Sequence, residues 1–128
     1  MRVLLDTHAF IWWLYEDRRL SARAREIISS AQNEIVVSVL TGWEIALKVG
    51  LLRDPRRKDL EVYVTTQIAV NGFQVLTLTL EHALRVAALP DHHKDPFDRA
   101  LIAQAQVEII PILSADRAIA RYPVEVIW

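Results

Sequence analysis

Short apolar segments alternate along the chain with longer stretches in which apolar residues recur at helical spacing. The apolar segments are residues 3–5, 35–37, 73–78, 109–113 and 124–127. The shortest of them are unbroken apolar runs, which are typical of strands buried on both faces, as in a parallel sheet. Strands that alternate with helices indicate βαβ units. The pattern therefore predicts an α/β fold with a mainly parallel sheet of four to five strands.

The stretches between these segments predict helices with recognisable N-terminal signals. The helices are expected over residues 9–15, 22–31, 40–52, 60–70, 80–89 and 96–106, with a short one over 116–120. Ser21, Asp59 and Thr79 are suitable N-caps, and Asp95 followed by Pro96 is a typical helix start. Gly72 is expected to end the fourth helix. Residues 53–58 are predicted to be a charged loop.

Composition places the chain among single-domain proteins of the cytoplasm. Its 128 residues suit one domain over 1–128, and 52% are hydrophobic, which is enough for a substantial core. It has no cysteine, no apolar stretch long enough to span a membrane and no signal-peptide pattern at its first residues. The net charge of −1 gives no overall sign of nucleic-acid binding, so such binding would depend on local patches.

Four acidic residues are placed where a parallel sheet would bring them together. Asp6 directly follows the first strand segment, and Asp116 follows the fourth. The carboxyl ends of parallel strands meet at one sheet edge, where α/β proteins bind their ligands. Glu44 lies among leucines in the third predicted helix, and Asp98 lies in the first turn of the helix after Asp95. The sequence predicts that all four converge on this edge.

Each of these acids also has a purely structural explanation. Asp6 and Asp116 are both able to cap the turns that follow them, and Glu44 can pair with Lys48 four residues later. Negative charge in a first helical turn is favoured by the helix dipole, which accounts for Asp95 and Asp98 without any chemistry. We assign Asp95 to N-capping and Asp98 to the chemistry, because Asp98 sits one turn further in.

A cluster of carboxylates of this kind favours a divalent cation. Carboxylates a few ångströms apart repel one another, and one would take up a proton unless a cation were present. Ligands that are all oxygen suit Mg²⁺ or Mn²⁺. Such an ion lowers the pKa of a bound water enough for attack on a phosphodiester, and a second ion would stabilise the leaving oxygen. The chemistry predicted is metal-dependent phosphodiester hydrolysis.

Basic side chains near the acids agree with a phosphate substrate, although a solvated surface explains them as well. They are His92, His93, Lys94, Arg99 and Arg117, with a more distant group at Arg53, Arg56, Arg57 and Lys58. His8, His92 and His93 are also candidate metal ligands. Their spacing is unlike that of a zinc site, so we rank this interpretation below the others.

The chain resembles the PIN-domain ribonucleases, and among them the VapC-type toxins of toxin–antitoxin pairs. The matching segments are LLDTHAFIWW at 4–13, VVSVLTGWEIALKVGLL at 36–52, HHKDPFDRALIAQAQ at 92–106 and ILSAD at 112–116. They occur in the order and spacing of that family. The segment DPFDRALIAQA is the specific signal among them, whereas DT or SAD alone would be weak.

The resemblance implies a three-layer α/β/α fold and a site at which Asp6, Glu44, Asp98 and Asp116 bind Mg²⁺ or Mn²⁺ for cleavage of single-stranded or loop RNA. It also implies a homodimer and inhibition by a cognate antitoxin. Asp116 corresponds to the acid whose role varies most in the family. Thr7 and Ser114 adjoin the first and fourth acids, where they would orient them or bind substrate. Arg99 and Arg117 are further substrate-binding candidates.

Two other functions remain open on the sequence. One is a weakly catalytic or non-catalytic module that acts with its partner as a DNA-bound regulator, and the other is a phosphatase or phosphoacceptor. Metal-dependent RNA cleavage that Asp6→Asn abolishes would separate the leading hypothesis from the regulator. Trapping of a phosphoaspartate, with RNA left intact, would indicate the phosphoacceptor.

Overall fold

A five-stranded sheet in which every pairing is parallel forms the centre of the computed structural model, which describes residues 1–51 and 54–128. The strands are β1 (Arg2–Leu5), β2 (Glu34–Ser38), β3 (Gln74–Leu76), β4 (Ile112–Leu113) and β5 (Val126–Ile127). Their order across the sheet is β3-β2-β1-β4-β5. The prediction of a mainly parallel sheet of four to five strands is confirmed, and β1 lies at its centre.

Within the described residues, six α-helices cover the sheet. They are α1 (Thr7–Leu14), α2 (Ala22–Ser29), α3 (Val39–Leu51), α4 (Leu60–Asn71), α5 (Leu80–Arg85) and α6 (Pro96–Glu108). The same residues form three short 3₁₀ helices: Pro55–Lys58 and Val86–Ala88 lie between α-helices, and Ile119–Arg121 lies between β4 and β5. Among the residues described, no helix has the length and apolar character needed to cross a membrane.

The side chains of β1 explain why helices lie on both faces of the sheet. Successive strand residues point to opposite faces. Val3 and Leu5 are completely buried with Phe10 of α1 in one apolar cluster, which also receives residues of α2 and α4. Leu4 is completely buried in a second cluster, with Leu101 and other residues of α6. These two clusters give the three-layer α/β/α arrangement and place the carboxyl end of β1 between the layers.

Near the first and fourth strands, the helices and strands begin and end at different residues from those predicted. Helix α1 begins at Thr7 rather than residue 9, because the Asp6 carboxylate caps it by accepting the Ala9 N–H at 2.7 Å. The predicted strand over 109–113 is confined to β4, because α6 continues to Glu108 and ends at Ile109 with a left-handed φ of 55°. The short helix predicted over 116–120 is wrong in its position. The structure instead has a 3₁₀ helix at Ile119–Arg121, which begins three residues later.

Other element ends also move by a few residues. The strand predicted over 73–78 is reduced to β3, and the helix predicted over 80–89 divides into α5 and the 3₁₀ helix that follows it. Asp59 precedes α4 but makes no capping hydrogen bond through its side chain. Part of the loop predicted over 53–58 is the first 3₁₀ helix, whereas Leu52 and Arg53 lie outside the described residues.

Gly72 and Gly42 provide a matched test of the backbone at the end of α4. Gly72 follows α4 with a φ of 69°, and open space surrounds the position of an added Cβ, as it does at Gly42 inside α3. Gly72→Ala should lower the free energy of unfolding by about 1 kcal/mol. The cost comes from holding an alanine in the left-handed conformation, because the added methyl group meets no neighbouring atom. Gly42→Ala should raise it by about 0.5–1 kcal/mol. Urea denaturation measures both, and equal stability of Gly72→Ala and the unaltered protein would contradict the expectation.

Candidate active site

Asp6 lies buried at the carboxyl end of β1, where Ser114 connects it to the segment that follows β4. Its side chain is 4% exposed. One carboxylate oxygen caps α1, and the other accepts a short hydrogen bond from Ser114 Oγ. Ser114 Oγ in turn accepts the backbone N–H of Asp116 at 3.0 Å. Ser114 therefore fixes the first and fourth predicted acids relative to each other.

Helix α6 presents Asp98 at its first turn, as expected for the third acid. Asp95 is the N-cap, and its Oδ1 accepts the N–H groups of Phe97 at 2.9 Å and Asp98 at 3.3 Å. Pro96 occupies the position where a missing N–H costs nothing. The capping bonds occupy Asp95, which leaves the Asp98 carboxyl as the one available for other contacts.

The carboxyl groups at this edge influence one another electrostatically. The pKa of Asp98 is raised to about 7, first by burial, next by the negative charge of Asp95, and also by Asp116 and Asp6, while His93 opposes the rise. The pKa of Asp6 is raised by burial, against its hydrogen bonds with Ser114 and Ala9, and Asp116 adds to the rise. Asp6, Asp98 and Asp116 thus share one electrostatic site.

Glu44 lies beside this group, in contacts of its own. Its side chain is buried, accepting a hydrogen bond from Thr7 Oγ1 at 2.7 Å and pairing with Lys48 Nζ at 2.8 Å. Thr7 Oγ1 also lies 3.2 Å from Thr41 Oγ1. Glu44 therefore has the helical partner Lys48 that the sequence suggested, and it also contacts Thr7, the residue directly after Asp6. Thr7 is buried, and its contacts suit orientation of Glu44 better than contact with a substrate.

His93 is the residue whose position the sequence reasoning undervalued. Its Nε2 lies 3.2 Å from Asp98 Oδ2 and 3.7 Å from Asp116 Oδ2. These three atoms all lie within 4.8 Å of one another. In the sequence, His93 is marked only by its position two residues before the N-cap Asp95. That position does not indicate which way the imidazole ring points.

Arg99 and Arg117 have different surroundings. The Arg99 guanidinium donates to Pro90 O at 2.8 Å, Tyr122 Oη at 3.2 Å and Val86 O at 3.3 Å, so it holds the segment that leads into α6. Its substrate contact stays a prediction, with donors that are already used within the protein. Arg117 follows Asp116 and is exposed to solvent, where a substrate contact is open to it.

The donor set suits a divalent cation. Three carboxylates of one electrostatic site, two of them with raised pKa values, are unfavourable together when ionised. A divalent cation would remove this conflict, and carboxylate oxygens are the ligands that Mg²⁺ and Mn²⁺ prefer. Asp6, Asp98 and Asp116 are the residues that would hold it, with Glu44 close to them through Thr7.

Comparison with known families and proteins identifies relatives of the chain. The model of the PIN domain family matches residues 3–125. The protein named Ribonuclease VapC22, from Mycobacterium tuberculosis, is 33% identical over 106 residues, which cover 80% of this chain and 78% of that protein.

Several solved structures share the fold. VapBC2 from Rickettsia felis, bound to a DNA fragment from its promoter, has a TM-score of 0.76 and 11% identity over 99% of this chain and 98% of that one. A toxin–antitoxin complex from Klebsiella pneumoniae has a TM-score of 0.63 and 24% identity, over 98% and 96%. FitAcB from Neisseria gonorrhoeae has a TM-score of 0.66 and 19% identity, also over 98% and 96%. At these identities the likeness establishes the fold.

The raised pKa of Asp98 predicts how the stability of the metal-free protein depends on pH. Between the ordinary value of 3.8 and the folded value of about 7, the folded protein binds a proton that the unfolded chain has released. The free energy of unfolding should therefore fall as pH rises through this window. Asp98→Asn removes the buried charge and should be more stable by roughly 1–2 kcal/mol at about pH 8, after allowance for solvent screening.

Urea denaturation at several pH values measures this difference. The difference in stability between Asp98→Asn and the unaltered protein should shrink as the pH is lowered towards about 4, because the Asp98 carboxyl is then protonated in the folded state. Asp59→Asn, at an exposed acid before another helix, is the matched control and should show no such trend. A pH-independent effect of Asp98→Asn would contradict the prediction.

Proposed function

The chain belongs to the PIN-domain family, within its VapC-type branch, and we propose that it is a metal-dependent endoribonuclease that acts as the toxin of a toxin–antitoxin pair. The observation that carries the proposal is the convergence of Asp98 and Asp116 on His93, with Asp6 joined to the same segment through Ser114. The relative from Mycobacterium tuberculosis is named a ribonuclease, which supports the same activity here.

In this proposal Asp6, Asp98 and Asp116 hold Mg²⁺ or Mn²⁺, and Glu44 completes the acidic set. A bound divalent cation supplies charge neutralisation and an activated water for hydrolysis of a phosphodiester. Ser114 and Asp95 keep the aspartates in place, and Thr7 orients Glu44. The protein's own contribution is therefore a set of carboxylates positioned to hold the cation before substrate arrives, and through it to stabilise the negative charge that develops on the phosphate.

Single-stranded or loop RNA is the proposed substrate. The net charge of −1 means that RNA must be attracted locally. His8, Lys94 and Arg117 are exposed. His8 lies two residues after Asp6, Lys94 directly precedes the N-cap Asp95, and Arg117 directly follows Asp116. Their positions support contacts to the phosphates on either side of the scissile bond. The phosphoacceptor hypothesis receives no comparable support, since the relative's name indicates RNA cleavage.

An antitoxin is the proposed inhibitory partner, and a groove between α1, α3 and α4 would suit it. The groove has a volume of about 530 Å³. Its apolar lining includes Ile11, Ile45 and Val64. Of its charged residues, Lys48 pairs with Glu44 and Arg56 with Asp54, and Asp59 adds a negative charge. The apolar face of an amphipathic segment would complement this lining. Lys48 also contacts Glu44, so a partner bound in the groove would lie beside the proposed site.

Some structural neighbours contain DNA, which bears on the regulatory hypothesis. The Rickettsia felis complex and a FitAB complex (TM-score 0.64, 17% identity) are both described as bound to DNA fragments. By analogy, we propose that a complex of this chain with its antitoxin would bind its own promoter. That role would be additional to RNA cleavage, because all four acids proposed for catalysis are present.

Cleavage of total RNA by purified, partner-free protein tests the proposed activity. Discrete cuts should appear with Mg²⁺ or Mn²⁺ and disappear with EDTA. Asp98→Asn and Asp6→Asn should each lower the cleavage rate by at least about 100-fold, the upper range for loss of groups that organise a metal site. Asp59→Asn is the matched control and should cut like the unaltered protein. Absence of cutting by folded, partner-free protein would favour the non-catalytic regulator.

A homodimer is the proposed assembly, and the β3–α5 region is its proposed interface. β3 is an edge strand, and the α5 side chains of Leu80 and Leu84 are 74% and 66% exposed. Leu84→Glu should convert a dimer to a monomer, because it places a charge in an apolar contact. Val62→Glu changes a residue of α4 that is 69% exposed and should leave the dimer intact. Light scattering after size-exclusion chromatography measures both, and a monomeric unaltered protein would refute the assembly.

A further inference from the structure

We propose that His93 is a positioning residue that places its Nε2–H beside the Asp98 carboxylate, with Asp116 slightly further away, and is not itself a metal ligand. The inference rests on the proposed function, since it concerns the same acidic site. At first view His93, Asp98 and Asp116 form a three-residue metal set, because one ligand atom of each lies within 4.8 Å of the others. The hydrogen bonding of the ring argues for a different role.

The other ring nitrogen decides which atom carries the proton. His93 Nδ1 accepts the backbone N–H of Asp95 at 2.9 Å. A nitrogen that accepts a hydrogen bond carries no hydrogen, so the neutral ring has its hydrogen on Nε2. That nitrogen then has no lone pair for a metal. It lies 3.2 Å from Asp98 Oδ2 and 3.7 Å from Asp116 Oδ2, so the Nε2–H is close to the Asp98 carboxylate and the Asp116 oxygen is beyond hydrogen-bond distance.

Reversal of the tautomer would disturb the start of α6. For Nε2 to bind a metal, the hydrogen must move to Nδ1, which would then oppose the Asp95 N–H instead of accepting it. Asp95 is the N-cap that holds the first turn containing Asp98. A metal-ligating His93 would therefore weaken the support of an acid that is also needed for the metal. The donor role has no such conflict.

The surrounding chain holds the ring in this orientation. The His93 side chain is 19% exposed. Arg99 fixes the preceding backbone through Pro90 O at 2.8 Å and lies 3.5 Å from His93 O. The neighbouring His92 turns the other way, with its ring edge-on to Tyr122 at a centroid distance of 5.2 Å. The segment thus directs one histidine to the acids and the other to an aromatic contact.

A donor between two carboxylates has a clear physical purpose. Asp98 and Asp116 repel each other, and each raises the electrostatic cost of ionising the site. The Nε2–H of a neutral ring brings a partial positive charge close to both carboxylates, and it adds no full positive charge that would compete with the cation. Removal of groups that hydrogen-bond metal ligands typically weakens metal binding by about 10–100-fold.

Long-range ¹H–¹⁵N NMR of the histidine rings tests the assignment directly. In the metal-free protein, His93 should show a protonated Nε2 and an unprotonated Nδ1, and saturation with Mg²⁺ should leave this pattern unchanged. A protonated Nδ1 in either state would overturn the proposal. The metal-free measurement requires no nuclease activity, so failure of this inference is distinguishable from failure of the proposed function.

Mn²⁺ titration followed by electron paramagnetic resonance tests the consequence for binding. His93→Ala should weaken Mn²⁺ binding by about 10-fold. His93→Gln should restore most of the affinity, because its amide N–H can replace the Nε2 donor. His92→Ala is the matched control and should bind Mn²⁺ as the unaltered protein does. Undiminished affinity of His93→Ala, failure of His93→Gln to rescue, or an equal loss in His92→Ala would each overturn the proposal.

Discussion

Burial of mutually repelling carboxylates at the carboxyl edge of the sheet is the constraint on which the rest of this structure depends. Asp6 and Asp98 both have raised pKa values, and burial is the largest cause for each. The fold therefore works against its own stability at this edge. Such a loss of stability is common where a protein prepares a site for a charged ligand. Parallel pairing of β1 with β2 and β4 keeps the acids together despite this cost.

Different acids are held by different means, and the means are local. Asp6 is fixed by the helix it caps and by Ser114, whereas Asp98 is fixed by the N-cap at Asp95. Glu44 has both oxygens occupied, by Thr7 and by Lys48. Each contact uses a hydrogen-bond donor that lies near its acid in the sequence or across the sheet edge. The site is thus specified by the same short segments that begin the helices.

The sequence predicted the fold class well because apolar runs and capping residues carry strong local signals. Val3 to Leu5 are buried on both faces, as an unbroken run implies, and Ser21, Thr79 and Asp95 all cap helices. The predictions were weaker where a backbone conformation departs from the residue's usual preference. Ile109 adopts a left-handed conformation, which a β-branched residue rarely does, and the predicted fourth strand was too long for that reason.

The candidate site was predictable in its acids but not in the roles of its basic residues. Asp6, Asp98 and Asp116 follow from strand ends and a helix start, which the pattern of the chain reveals. The directions of His93 and Arg99 depend instead on backbone carbonyl and N–H groups of a loop, such as Pro90 O and Asp95 N. Side-chain spacing carries no information about those partners. For this reason the sequence alone predicts a phosphate contact for a basic residue beside an acid.

The separation of basic residues into two groups changes how RNA binding must be understood. Arg99, Lys48 and His93 use their donors within the protein, and so add little to the attraction of a phosphate backbone. With a net charge of −1, the chain has no general excess of positive charge to replace them. On the proposed function, exposed residues such as Lys94 and Arg117 then supply the local contacts. Such a site would favour an RNA whose loop shape already places phosphates at the sheet edge, because weak electrostatic attraction leaves shape to decide the fit.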